Sequence, residues 1–167
     1  MRNLITTFLI LMFVTQQASA GIIEFDTCFS DCQNLDAAQL DSAPSPATLE
    51  FMDNGSGGLD FTLVNTFETY DTSNGIAFVR WLRLNLASAP GDATNISDNI
   101  NRIYYDDSGI MTSGLMFDLG VNLANNGSGV PLRLTAGESA TWTLPGLAES
   151  DILEPSLIRV QRVLTDV

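Results

Sequence analysis

The chain has 167 residues, and beyond Arg2 it carries six arginines, no lysine and no histidine against twenty Asp and Glu, which leaves a formal charge of −14. That balance excludes nucleic acid and anionic membrane surfaces as expected partners, because both need a positive patch to displace counterions. Without histidine or lysine, a Ser-His-Asp or Cys-His site, a Schiff base and a histidine-liganded zinc centre are all out of reach.

At the start, Arg2 opens a short basic region, Leu4 to Val14 form an apolar stretch, and Ala18-Ser19-Ala20 supplies the small residues a signal peptidase requires before Gly21. The expected mature protein begins at Gly21 and works outside the cytoplasm. Spanning a bilayer takes about 20 predominantly apolar residues. The leader is too short for a dependable anchor and no later segment comes closer, so no membrane span is expected in the mature chain. Cys28 lies several residues past the expected cut, which disfavours a lipidated first residue. A secreted product is expected, free, periplasmic or associated with the cell surface.

About 147 residues then remain, enough for one domain with a continuous core. Residues 21–46 read as an N-terminal extension and 47–167 as the body. Ile22-Ile23-Glu24-Phe25 is a short extended piece. Cys28 and Cys32, with three residues between them, are expected to pair as a local disulfide in an oxidising compartment, a staple contributing about 2 kcal/mol. Free thiols are the alternative, and a metal reading lacks the second Cys or His pair it needs. Asn34 to Leu40 has the pattern of one or two helical turns, which Ser42-Ala43-Pro44-Ser45-Pro46 ends.

From Ala47 onward the sequence alternates between apolar-patterned strands and turns rich in Gly, Asn, Asp and Ser. Thr48 to Met52 and Leu59 to Leu63 flank Asp53-Asn54-Gly55-Ser56-Gly57-Gly58 and predict a hairpin. Ile76 to Ala87 predicts a long strand with Phe78, Leu82, Leu84 and Leu86 inward and Val79, Trp81, Arg83 and Asn85 outward. Arg80 interrupts the inward face, so a bulge or sheet edge is expected there. Ile100 to Tyr105 predicts a further strand ending in a turn at Asp106-Asp107-Ser108-Gly109. Leu115, Phe117, Leu119, Val121 and Leu123 alternate most regularly. After the loop Asn125 to Gly129 come a short strand at Leu132-Arg133-Leu134, a strand from Glu138 to Leu144 with Ala140, Trp142 and Leu144 inward, and a last strand from Leu157 to Leu164. Seven to nine strands at this spacing indicate an all-β fold, an antiparallel β-sandwich, jelly-roll-like, with a short N-terminal extension.

The succession of an Ala47-Thr48-Leu49 strand, an Asn-Gly-rich turn, Phe61-Thr62-Leu63-Val64-Asn65-Thr66, Leu82-Arg83-Leu84-Asn85, Phe117-Asp118-Leu119, Leu134-Thr135-Ala136-Gly137-Glu138-Ser139-Ala140-Thr141-Trp142-Thr143-Leu144 and Arg159-Val160-Gln161-Arg162-Val163 resembles the ectodomains of PEP-CTERM (exosortase-sorted) secreted bacterial proteins over residues 47–164. The resemblance implies export and association with exopolysaccharide or other biofilm matrix, in a group mostly without assigned enzymatic activity. The chain departs from that pattern at Thr165-Asp166-Val167, without the Pro-Glu-Pro signal, apolar helix and basic tail, so exosortase sorting is not expected.

Three candidate sites follow from residue chemistry. Asp53, Asn54 and Asp60 bracket a Gly-rich turn and Asp106-Asp107 occupy another, offering hard oxygen ligands for calcium. They match neither an EF-hand nor a repeated calcium motif, and the competing reading is that they supply turn geometry and solubility. No other cofactor is expected. Trp81, Tyr104 and Tyr105 are candidates for a carbohydrate platform, although Tyr104 and Tyr105, being adjacent, must point to opposite sides of a strand. The competing reading packs Trp81 beneath a loop or on the second sheet. Arg80 and Arg83 serve such a platform or pair with surface acids. Finally, two carboxylates across a cleft suffice for a glycosidase, but twenty acids in so acidic a chain are mostly solvated surface. The sequence thus favours a non-catalytic structural or adhesive extracellular protein over a carbohydrate-binding module, and both over a carboxylate-dependent hydrolase.

Overall fold

A computed structural model describes residues 20–25, 47–66, 76–112, 114–124 and 133–163. The leader before Ala20, Cys28 and Cys32, the Asn34–Leu40 segment, the proline-containing break and the Asn125–Gly129 loop lie outside the described residues.

The fold is an all-β sandwich of two antiparallel sheets, as the strand spacing predicts. One sheet has four strands in the order β1 (Ala20–Glu24), β2 (Ala47–Asp53), β3 (Gly58–Asn65) and β8 (Ser139–Pro145). The other has five: β4 (Ile76–Leu86), β5 (Ile100–Thr112), β6 (Leu115–Leu123), β7 (Leu134–Thr135) and β9 (Ile152–Val163). In this second sheet β5 pairs β6, β6 pairs β4, and β9 runs along the other side of β4. The short β7 extends the β6 side, pairing Phe78 and Val79. A single 3-10 turn, Glu149–Asp151, leads into β9. Among the described residues no helix is long and apolar enough to cross a membrane.

The β2–β3 hairpin closes by local chemistry. Asp53 Oδ1 accepts from Gly55 N at 2.7 Å and Asn54 Oδ1 from Ser56 N at 2.8 Å. Gly55 and Gly57 take φ of 70° and 80°, a region costly for any residue with a Cβ.

Each strand contributes alternate residues to one core. Leu49, Phe51, Leu59, Phe61, Leu63, Ala140, Trp142 and Leu144 meet Val79, Leu82, Leu84, Leu119, Val121 and Leu123 from the opposite sheet. Phe51, Phe61 and Trp142 are register partners across three strands. The Phe61 and Trp142 rings stack at 5.1 Å, 2° from parallel. Trp142 is 1 % exposed and Phe117 is fully buried. Rings of this size supply about 4–6 kcal/mol of transfer free energy each, as an upper estimate. Asn65 is the polar exception. It is completely buried at the end of β3, where its Nδ2 donates to Leu134 O across the sandwich at 2.9 Å.

The segment after β4 is polar, yet it is fixed by backbone bonds. Gly91 N donates to Pro145 O, Thr94 and Thr143 exchange both bonds, and Ser97 N donates to Thr141 O. Residues 91–97 therefore cover the outer edge of β8, which would otherwise offer open backbone groups to another chain.

Three expectations change. First, Asp106 to Gly109 is no hairpin turn. β5 continues to Thr112, and five steps along it, from Tyr105 to Ile110, answer two along β6, from Leu119 to Phe117. The polar run is a wide bulge, with Ser108 N on Asp106 Oδ1 and Gly109 at φ 86°. Turn residues serve a bulge as well as a hairpin, because both need positive φ and local side-chain acceptors. Second, the irregularity expected at Arg80 is present as a register shift between Val79 and Trp81. It reverses the parity before it, so that Val79 joins the core and Phe78 lies on the far side beneath the Arg133 guanidinium, 4.5 Å from its ring. Third, the last strand begins at Ile152, with Glu154-Pro155 inside it. β9 lies at the sheet edge, and a second register shift falls opposite Arg83 and Asn85. Proline is tolerated there because its missing N–H breaks no ladder bond.

Candidate functional site

The outer face of the five-stranded sheet brings Arg83 and Arg102 together with Trp81 and Tyr104. Beyond the shift at Arg80, β4 turns Leu82, Leu84 and Leu86 into the core and Trp81, Arg83 and Asn85 outward, as the period-two pattern predicts. The register then brings two rows together. Arg102 of β5, Asn122 of β6, Trp81 of β4 and Arg159 of β9 form one line of paired residues. Tyr104, Gly120, Arg83 and Leu157 form the next.

Arg83 is the centre of this arrangement. Only 7 % exposed, it donates from Nη1 to Leu82 O at 2.8 Å and from Nη2 to Asn122 Oδ1 at 3.1 Å. Its guanidinium carbon lies 4.7 Å from the Trp81 ring centroid and 5.7 Å from that of Tyr104. Arg102 approaches Tyr104 at 4.8 Å. The order across the face is therefore indole, guanidinium, phenol, guanidinium, an alternation in which each cation meets the negative face of a ring. Loss of water pulls the Arg83 guanidinium below the ordinary arginine value, and Tyr104 acts in the opposite direction. An arginine remains charged regardless. Its buried Nε has no hydrogen-bond acceptor among the described residues.

Gly120 makes the layer possible. A Cβ there would stand 2.4 Å from Cζ of the Tyr104 ring, so the phenol end of Tyr104 occupies the space over the bare backbone of β6. Asp118, two residues along the same face, accepts from Leu86 N at 2.9 Å through Oδ2 and is thereby held to the backbone of β4.

Two of the three aromatic candidates are thus united. Trp81 and Tyr104 are half-buried on the same outer face, whereas Tyr105 points to the other side and is 37 % exposed. Of the two alternatives for Arg83, the partners it has among the described residues, a carbonyl, an amide and two rings, place it with the aromatic candidates. The signal that sequence reading underused was the glycine at 120. It opens space for a ring only once β5 and β6 are known to be neighbours.

The carboxylate candidates are distributed differently. Asp53 and Asn54 hold the β2–β3 turn, and Asp60, on β3, accepts from Thr143 Oγ1 at 2.6 Å across the β3–β8 pair. Asp106 and Asp107 sit in the β5 bulge of the other sheet. Among the described residues no three Asp, Glu, Cys or His side chains gather closely enough to hold a metal ion. The oxygens of Asp53, Asn54, Asp60 and Asp106 that make bonds serve turns, a strand pair and a bulge.

No family model, curated protein or solved structure matches this chain.

Proposed function

We propose that this chain is an exported, non-catalytic β-sandwich that acts as a structural or adhesive binding protein outside the cytoplasm, with the Trp81–Arg83–Tyr104–Arg102 face as its working surface. The observation that supports this most directly is the desolvated Arg83 held between two rings. Such a layer is stiff and pre-ordered, so little side-chain entropy is lost on contact with a ligand. It offers hydrogen-bond donors and apolar ring surface to a ligand. Association with a polysaccharide matrix agrees with the ectodomain resemblance over residues 47–164.

The test is to incubate the purified protein with extracellular polysaccharides and follow two quantities, protein retained on the polymer and reducing ends released. Retention without new reducing ends is the expected result. Release of reducing ends, abolished by a single Asp→Asn change, would instead establish the hydrolase.

A carbohydrate-binding module is the second reading, favoured by Trp81 and Tyr104 sharing one face. It expects Trp81→Ala to abolish retardation on polysaccharide gels.

A further inference from the structure

The distribution of charge between the two sheets is unequal. β1, β2, β3 and β8 contain no arginine or lysine, while Glu24, Glu50, Asp53 and Asp60 lie on them. All six arginines beyond Arg2 lie on or beside the five-stranded sheet: Arg80 and Arg83 on β4, Arg102 on β5, Arg133 just before β7, Arg159 and Arg162 on β9. The acids of that sheet, Asp106, Asp107, Asp118 and Glu154, fall towards the other end of its strands. Asp118 is adjacent to Leu119, the partner of Leu84, and Glu154 is adjacent to Leu153, the partner of Asn85. The cations fall at register positions from Ala77 to Arg83. In a chain with so large a negative charge, Arg83, Arg102 and Arg159 thus stand on two neighbouring register lines of one sheet, away from its acids.

We infer that this end of the five-stranded sheet binds a carboxylate-bearing polysaccharide, a uronate polymer, with Arg102 and Arg159 as the contacting cations on either side of Trp81. The inference rests on the proposed binding-protein reading and names its ligand class. Arg102 and Arg159 are both exposed and lie on one register line three strand spacings apart, about 14 Å at the usual interstrand distance. The half-buried indole and the Asn122 amide lie between them. A guanidinium matches a carboxylate with two parallel hydrogen bonds, and a pyranose ring presents C–H groups to an aromatic surface. A polymer with a carboxylate on successive sugars meets both demands along one flat line, which a single small anion does not. Repulsion from the rest of the chain acts on any polyanion, so binding must come from the local guanidiniums and the indole. Nucleic acid, whose dense counterion shell takes many cations to release, is the contrasting polyanion. Arg83 is the floor of this line and positions Trp81 and Asn122 rather than contacting the ligand.

Affinity electrophoresis of the purified protein through gels containing polygalacturonate, neutral dextran or single-stranded DNA tests the inference, in buffer containing a calcium chelator. The expected result is retardation by polygalacturonate alone, weakened at least tenfold by Arg102→Ala with Arg159→Ala and progressively by added salt. Both side chains are exposed, so these variants keep the fold, which circular dichroism checks. No retardation by polygalacturonate, equal retardation by dextran, retardation by DNA, binding unchanged in the double variant, or binding that needs calcium would each overturn it. Reducing ends measured in the same samples separate the two proposals. Their appearance refutes the non-catalytic reading, whereas absent binding without cleavage refutes only the ligand assignment.

Discussion

Arg83 donates from Nη2 to Asn122 Oδ1 at 3.1 Å while its guanidinium lies against Trp81, so one buried cation ties β4 to β6 and fixes the tilt of an indole. A buried charge that is hydrogen-bonded and stacked is tolerated rather than strongly stabilising, and an apolar residue of similar length often replaces it at little cost. Arg83→Met should therefore change the unfolding free energy by no more than about 1 kcal/mol, because the stem continues to fill the space. Arg83→Ala should lose about 2–3 kcal/mol through the cavity between the two rings. Urea titration of both variants, followed by tryptophan fluorescence, distinguishes packing from charge.

Gly120 and Tyr104 are coupled by contact. Gly120→Ala should destabilise by about 1–3 kcal/mol, since a new methyl group displaces the ring. In a Tyr104→Ala background the same change should cost much less. A double-mutant cycle measures the difference, and additive effects would show that the ring does not depend on the glycine.

Asn65 joins the end of β3 to β7. Its side chain donates to Leu134 O, its N–H donates to Glu138 O and its carbonyl accepts from Gly137 N. Asn65→Ala should cost about 1–3 kcal/mol, the range for orphaning a buried acceptor. Asn65→Asp should cost more, because an ionised carboxylate has no proton for Leu134 O and would be buried. Hydrogen exchange should accelerate first in residues 134–138.

Thr143 links β8 to β3 and to the segment after β4. Its hydroxyl donates to Asp60 Oδ1 and accepts from Asn95 Nδ2 at 3.1 Å. Thr143→Val preserves shape and removes both bonds, so a loss of about 1–2 kcal/mol is expected, read as a lower midpoint in chemical denaturation.

Trp142 sits at the centre of the core against Phe61. Trp142→Ala should cost about 3–5 kcal/mol and erase near-ultraviolet circular dichroism from the stacked pair. Trp142→Phe should cost clearly less, because it keeps most of the ring and removes an indole N–H that is buried without a partner among the described residues.

Much of this arrangement is legible in the sequence where a rule is local. The alternation through Phe117, Leu119, Val121 and Leu123 and in Ser139–Leu144 identifies buried residues correctly, because a strand has a side-chain period of two whatever it pairs with. Asp53 to Gly58 announces a hairpin because its glycines and side-chain acceptors close it from within. The same rules misread Asp106 to Gly109 and the Phe78/Val79 pair. A bulge and a turn use the same residues, and one extra residue inverts every side chain before it.

By itself, the sequence determined an all-β chain with alternating faces, a large negative charge, and no histidine or lysine with which to build the commonest catalytic sites. These follow from composition and nearest neighbours along the chain. Only the tertiary structure decided that Arg83, Tyr104 and Arg102 form one layer with Trp81 and that the arginines after Arg2 lie on or beside one sheet. Contacts between strands far apart in sequence depend on pairing order and register. Those are set by the burial of both sheets against each other, not by any single segment.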